Sequence, residues 1–294
     1  MITNDSLWKG IIEDLLPDFL TFFYPDQTFD LEKGYDFLDK ELDELFPLSD
    51  AKHKIRRVDK LIKLFDISGH ERWILIHIEV QGYADQNLPE RMFHYFYRIL
   101  DRYKMPVTTL VILTDPYPGY NPSDFRYSVM DTKLIYRYRT YKILKQSQSN
   151  LEQSDNPFAA VVLTALTALQ MNKSDDFEAL ELKTTLVRKL LAKGFPKSDI
   201  RSLLNFVRFY TKSKRETMNL LFENRVKELT SNHETMGVEE MIIQQAEEKG
   251  IEKGTLQNKI QIAKKMILKE LPDSFICEVL DVTPEFIDQV KSEM

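Results

Sequence analysis

Residues 73–81, reading WILIHIEVQ, carry a carboxylate and a carboxamide at the end of a strongly apolar run. The run is typical of a buried β-strand, in which side chains alternate between two faces. Glu79 and Gln81 therefore share one face. A carboxylate inside a sheet costs several kcal/mol unless a cation or hydrogen-bond donors compensate it. The pattern predicts a functional site at this end of the strand.

A second carboxylate is brought to the same place by a predicted hairpin. Residues 56–67 alternate imperfectly as a strand, Gly69 favours a turn, and residues 73–81 return antiparallel, which brings Asp59 towards Glu79. Two carboxylates with free positions for water and phosphate suit Mg²⁺. The predicted chemistry is metal-assisted phosphodiester hydrolysis, in which a neighbouring polar side chain such as Gln81 orients the attacking water. Glu13, on the first predicted helix, would complete the metal shell or position a metal-bound water.

Each of these residues also has an ordinary interpretation. Asp59 and Glu79 would be solvated acids if the hairpin lay at the surface, and Glu13 would belong to an exposed helix face. His77 shares the Glu79 face, but a buried, hydrogen-bonded histidine is the commoner outcome, so it is left out of the site. Arg91, with Tyr95 one turn further along the next helix, would meet a phosphate if that helix faces the site.

The elements that position these residues alternate between helix and strand. Apolar spacing predicts an order of helix, strand, strand, helix and strand, which favours an α/β fold with a mixed sheet flanked by helices. The predicted helices are 6–24, 30–48 and 90–103, and the predicted strands are 56–67, 73–81, 107–114 and 133–144, with a Pro-rich loop at 115–124.

Three regions are predicted along the chain. Residues 1–150 form the α/β domain, residues 151–235 an all-helical domain, and residues 236–294 a charged helix followed by a pair of short helices. In the charged helix, a small-residue stripe including Gly250 and Gly254 would admit a partner helix closely, which predicts a homodimer contact there. A solvated helix is the alternative, since glycine disfavours the helix interior.

Composition sets further limits. The chain has 294 residues, 43% of them hydrophobic, a formal charge of −6 and one cysteine, Cys277. It cannot form an internal disulfide, and it shows neither a secretory signal nor an apolar run of membrane-spanning length, so a cytoplasmic protein is expected. Nucleic-acid contact would depend on local basic groups near the site, for which the candidates are Lys52, Lys54, Arg56, Arg57, Arg137, Arg139, Lys142 and Lys145.

Several blocks of sequence resemble one family. Asp59 followed by Glu79-Val80-Gln81 is similar to the PD-(D/E)XK nuclease motif in the variant that has glutamine in place of lysine. The blocks DSLWKGIIEDLLPDFLTFFYP, KGYDFLDKEL, WILIHIEVQG, ERMFHYFYRILDRY, DNPFAAVVLTAL and EEKGIEKG extend the likeness over most of the chain. Together they resemble the bacterial PD-(D/E)XK nuclease family transposases, which are related to recombination-promoting nucleases.

The resemblance implies a restriction-endonuclease-like core and a DNA endonuclease that uses Mg²⁺ or Mn²⁺. It assigns metal binding to Asp59 and Glu79, a water-positioning or phosphate-facing role to Gln81, and a supporting acidic role to Glu13. Lysine in the superfamily motif brings a positive charge, whereas glutamine can only hydrogen-bond. The alternative function is therefore a DNA-binding or oligomerising protein of mobile elements with little or no cleavage activity.

Overall fold

In the computed structural model, the described residues are 3–39, 58–67 and 72–231, together with the isolated positions 267 and 291. The chain divides into two units, Met1–Arg225 and Val226–Met294. The domain boundary predicted near residue 150 lies inside the first unit. The predicted charged helix and closing helix pair, with the predicted dimer contact, lie outside the described residues.

The α/β architecture and the mixed sheet predicted from the sequence are confirmed. The helices are α1 (Asn4–Asp14), α2 (Leu16–Phe23), α3 (Leu88–Tyr103), α4 (Gln148–Gln153), α5 (Pro157–Met171), α6 (Asp176–Leu191), α7 (Lys197–Tyr210) and α8 (Glu216–Ser231). The strands are β1 (Asp36–Phe37), β2 (Val58–Asp66), β3 (Arg72–Gln81), β4 (Val107–Leu113), β5 (Asp124–Val129), β6 (Thr132–Arg137) and β7 (Arg139–Lys142).

Five strands form one sheet in the order β1-β2-β3-β4-β7. β1, β2 and β3 pair antiparallel, whereas β3, β4 and β7 run parallel. β5 and β6 form a separate antiparallel hairpin. Because β4 and β7 are parallel to β3, all three strands end at the same edge of the sheet, and the antiparallel β2 begins there.

The two faces of the sheet pack against different helices. Leu61, Leu75 and Val111 lie on one face and form a core with Met92 and Ile99 of α3. On the other face, α1 approaches β2. This helix and α2 are joined to the later helices by edge-to-face aromatic contacts, in which ring centroids are 5.4 Å apart for Trp8–Phe206 and 5.1 Å for Phe19–Phe158. We refer below to the α3 face and the α1 face.

Several elements differ from the sequence-based predictions. The helix predicted over 6–24 is two helices, because Pro17 lacks a backbone N–H and occupies the first turn of α2. Residues 36–37, predicted to be helical, form a strand beside β2. The strand predicted over 133–144 is divided between β6 and β7, and β5 was not predicted. The turn predicted at Gly69 lies outside the described residues.

The helical character predicted for residues 157–228 is confirmed by α5 to α8. α5 is buried around most of its circumference, which explains why its apolar residues show little helical periodicity. In the described part of the chain, no helix combines the length and apolar character needed to span a membrane.

Candidate active site at the carboxyl edge of the sheet

The predicted site residues lie at the edge where β3, β4 and β7 end. The last residues of these strands are Gln81, Leu113 and Lys142, and they are in register across the sheet. The carboxyl ends of parallel strands are the usual ligand-binding edge of an open α/β sheet. The backbone of Gln81 is tied to the next strand, since its carbonyl accepts a hydrogen bond from the Thr114 N–H at 2.9 Å.

Asp59 and Glu79 are directly opposite each other in the β2–β3 register. Residues paired in this way project from the same face, with Cβ atoms about 4.5–5.5 Å apart in antiparallel sheets. The Asp59 side chain lies outside the described part of the structure. The Glu79 side chain is fully buried on the α3 face. The hairpin geometry predicted from the sequence therefore holds for the backbone of both residues.

Arg91, in the first turns of α3, joins the polar residues of this face. Its Nη2 donates to Oε1 of Glu79 and to Oε1 of Gln81, both at 2.8 Å, and its Nη1 forms an ion pair with Asp85. The Gln81 amide nitrogen donates to the Tyr83 carbonyl at 2.9 Å. These bonds fix the orientation of the Gln81 side chain. We call Glu79, Gln81, Asp85 and Arg91 the carboxylate cluster.

Arg91 remains charged in this setting. Burial opposes the charge, but the nearby Glu79, Tyr95 and Asp85 outweigh burial and raise the pKa of the guanidinium above its ordinary value. The sequence left open whether the helix that carries Arg91 faces the site, and in the structure it does. Tyr95 lies one turn further along α3 and contacts the ring of His77 edge-on, with centroids 5.4 Å apart.

His77 lies on the same face, two residues before Glu79, and is fully buried. Within the described residues, neither of its ring nitrogens has a hydrogen-bond partner, unlike the hydrogen-bonded histidine expected from the sequence. Burial, reinforced by the charge of Arg91, lowers the pKa of His77 to about 3. At neutral pH its ring is uncharged and cannot offset the carboxylates.

The described charges of this cluster do not balance. Glu79 and Asp85 carry two formal negative charges against the single positive charge of Arg91, so these three groups sum to −1. Asp59 is paired with Glu79 through the backbone register, and two acids at paired positions are residue types that a divalent cation can use as ligands. Mg²⁺ typically takes only one or two protein carboxylates, so these residue types fit such an ion.

The described side chains do not form a larger metal cluster. Among them, no group of three or more His, Cys, Asp and Glu residues could hold a metal ion. Glu13 in particular is not brought to Glu79. It forms an ion pair with Lys60, which projects from the α1 face and is also bound by Asp39 at 2.7 Å. The spacing of apolar residues in α1 predicts that one side of this helix is buried. It does not predict which face of the sheet the helix covers.

Sequence reasoning missed the loop residues that surround the cluster. The Tyr120 hydroxyl donates to the Asp85 carbonyl at 2.8 Å, and burial raises the pKa of that hydroxyl to about 12. Asp115 forms a buried ion pair with Lys142 at 2.6 Å. Position in the sequence could have identified the two acids, since Asp85 comes soon after β3 and Asp115 comes soon after β4.

The basic groups predicted to flank the site have different environments. Lys142 is buried against Asp115, and the Arg139 guanidinium donates to the carbonyl of Phe23. Arg137 and Lys145 are exposed. The other four candidates, Lys52, Lys54, Arg56 and Arg57, lie outside the described residues.

Comparison of the chain with protein-family models, curated proteins and solved structures finds no match in any of the three.

Proposed function

We propose that the protein is a metal-dependent DNA endonuclease of the PD-(D/E)XK transposase or recombination-promoting type, acting in the cytoplasm. The observation that carries the proposal is the buried Glu79 carboxylate, opposite Asp59 and beside Gln81 at the carboxyl edge of the sheet. The surplus of negative charge on this face supports a divalent cation as cofactor. The mixed five-stranded sheet is compatible with a restriction-endonuclease-like core.

Asp59 and Glu79 would hold Mg²⁺ or Mn²⁺, which when bound would polarise a phosphoryl oxygen and lower the pKa of water. Gln81 and Arg91 act together beside these carboxylates. The hydrogen bond between them fixes the amide, and the amide and Glu79 fix the guanidinium. Arg91 thereby supplies the fixed positive charge that the superfamily motif obtains from lysine. Such a preorganised charge stabilises a phosphate as negative charge develops on it.

A second function is favoured by the same geometry. Glu79 and Gln81 are almost completely buried, and the Arg91 guanidinium is already bound to Glu79, Gln81 and Asp85. An ion-paired cluster of this kind can stabilise a fold without catalysis. The alternative is a DNA-binding or oligomerising protein of mobile elements that retains the nuclease fold but does not cleave DNA.

Cleavage of supercoiled plasmid by the full-length protein with Mg²⁺ or Mn²⁺ separates the two functions. We expect nicking by the wild type, and a loss on the order of 100-fold or more in Asp59→Asn and Glu79→Gln, since metal stabilisation of the transition state amounts to several kcal/mol. Both substitutions preserve side-chain shape and remove one charge.

Matched controls are available on exposed helix surfaces. Asp101→Asn in α3 and Glu178→Gln in α6 make the same chemical changes away from the cluster and should nick like the wild type. The same variants should be tested for thermal stabilisation by Mn²⁺, which a metal site produces and Glu79→Gln should abolish. Absence of nicking, or equal nicking by Glu79→Gln and the wild type, would favour the non-catalytic function.

A further inference from the structure

A cavity of about 580 Å³ opens beside the same sheet edge, on the side of the later helices. Its wall includes Gly82 and Thr114, which directly follow the last residues of β3 and β4. Most of the rest of the wall comes from α5, α6 and the segment between α7 and α8, with further residues from α1, α7, the start of α8 and the loop after β4. The cavity thus adjoins the edge that carries the carboxylate cluster. Its volume falls within the range of small-molecule sites.

The described residues that line this cavity carry an excess of positive charge. Its basic residues are Lys183, Lys212, Lys214 and Arg215, and its single acidic residue is Asp176, which forms an ion pair with Arg215. The lining therefore sums to +3 in a chain whose formal charge is −6. A cleft lined by positive charge raises the local concentration of anions even when the protein as a whole is acidic.

Lys183 is the buried member of this set, with 3% of its surface exposed. Its ammonium donates one long hydrogen bond, 3.4 Å, to the Thr211 carbonyl and lies 3.7 Å from the Phe222 ring centroid. Among the described residues, no carboxylate forms an ion pair with it. Glu223 acts on it only at longer range, because that carboxylate is bound by Arg208 at 2.7 and 2.8 Å.

A buried ammonium without a counter-ion is costly, and the cost would fall if an anion entered the cavity. Burial lowers the pKa of Lys183 to about 8; the Glu223 carboxylate opposes this shift, and the positive charges of Arg208 and Lys212 reinforce it. The ammonium groups of Lys212 and Lys214 make no hydrogen bond or ion pair with any described residue. Three lysines line this one cavity, and lysine ammonium groups are the kind of donor that phosphate oxygens accept from.

We propose that this cavity binds the phosphate group of a nucleotide, with Lys183 at its inner wall and Lys212 and Lys214 as further donors. The apolar side chains of Ala165, Ala168 and Met218 in the same wall would contact the base or sugar. The nucleotide is either free or the end of a nucleic-acid strand, since both present the same phosphate chemistry. The site does not depend on the proposed cleavage activity.

Calorimetric titration of the full-length protein in EDTA tests this proposal without any metal-dependent step. The probes are deoxyadenosine 5′-monophosphate, deoxyadenosine, inorganic phosphate and a short single-stranded oligonucleotide with a 5′-phosphate. We expect the monophosphate to bind at least about tenfold more tightly than deoxyadenosine or inorganic phosphate, because each alternative lacks one half of the recognised ligand. Competition between the oligonucleotide and the monophosphate would identify a strand end as the ligand. Tight monophosphate binding without such competition would identify the free nucleotide.

Three variants test whether the monophosphate binds in this cavity. Lys183→Met removes the ammonium, keeps the aliphatic stem and should weaken monophosphate binding at least about tenfold. The double variant Lys212→Gln/Lys214→Gln should weaken it comparably, and it provides the test if Lys183→Met does not fold. Lys189→Gln is the matched control, because Lys189 is on the same helix, pairs with Glu152 and does not line this cavity.

Two results would overturn the proposal. One is equal binding of deoxyadenosine and its monophosphate, or of inorganic phosphate and the monophosphate. The other is monophosphate binding that is unchanged in both Lys183→Met and the double variant. Failure of plasmid cleavage leaves this test intact, since every titration is done without metal.

Discussion

Arg91 and Lys183 are two buried cations near one sheet edge, and their surroundings are opposite. Arg91 binds two carboxylates and a carboxamide. Lys183 has a backbone carbonyl and an aromatic ring as its nearest partners. The pKa of Arg91 is raised by its acidic neighbours despite burial, whereas burial lowers the pKa of Lys183 to about 8.

The difference indicates what each region can bind. Around Arg91 the described acids outnumber the cation, so the region can accept a further positive charge. Around Lys183 the cations outnumber the acid, so the region can accept a negative charge. A phosphate ester with its divalent counter-ion has both features. The contrast between the two regions depends on the charges of Arg91 and Lys183, so substitutions that remove each charge test it.

Removal of the Arg91 charge should have the largest effect on stability. Arg91→Gln leaves Glu79 and Asp85 buried or half-buried without their shared cation, and breaking a buried ion pair on one side costs about 3 to 5 kcal/mol. Urea denaturation at pH 7 in EDTA measures this loss. Added Mn²⁺ should recover part of it, because the cluster in the variant carries one more negative charge.

Arg102→Gln is the matched control on the same helix. Arg102 is exposed and forms no ion pair with a described residue, so its substitution should change the free energy of unfolding by less than about 0.5 kcal/mol. Similar small effects of both substitutions would show that Arg91 does not compensate the carboxylates. The charge balance proposed for the site would then be wrong.

Removal of the Lys183 charge should have the opposite effect on the free energy of unfolding. Lys183→Met should leave stability at pH 7 unchanged or increased, since replacing a buried charge that has no ion-pair partner among the described residues by an apolar side chain removes a desolvation cost. The pH dependence provides the sharper measurement. Between pH 8 and pH 10 the unfolded chain keeps the proton on Lys183 while the folded chain loses it. The free energy of unfolding of the wild type should therefore rise by about 2 to 3 kcal/mol relative to Lys183→Met.

The difference between the two proteins isolates this contribution, because the buried tyrosines of both titrate alike. Lys189→Met, an exposed substitution on the same helix, should keep the wild-type slope over this pH range. A slope that is equal in the wild type and in Lys183→Met would mean that Lys183 titrates normally and already has a counter-ion.

The sequence predicted the backbone geometry of the candidate site better than it predicted which side chains contact each other there. Period-two alternation is a local property of the chain, so it correctly placed Glu79 and Gln81 on one face. The predicted hairpin correctly brought Asp59 towards Glu79, and the structure adds the register in which the two residues are directly paired.

The side-chain contacts of the site could not be predicted because they depend on packing between segments that are distant in sequence. Periodicity identified α3 as amphipathic, but the face that meets Glu79 is set by how Leu88 and Met92 pack on the sheet. The basic cavity combines α6 with the segment after α7, and no local pattern relates these segments. Propensity was also overridden where residues 36–37 pair with β2 instead of continuing a helix.

Substitution of Glu13 should have the smallest effect, and it tests on which face of the sheet Glu13 acts. The structure places it on the α1 face against Lys60, which also binds Asp39. Because Asp39 remains and Glu13 is half-exposed, Glu13→Gln should cost no more than about 1 kcal/mol in urea denaturation. Plasmid nicking by this variant should remain close to that of Asp14→Asn, its exposed neighbour on α1. A loss of nicking as large as that of Glu79→Gln would instead place Glu13 in the metal site, and would require α1 to move to the other side of β2 when DNA binds.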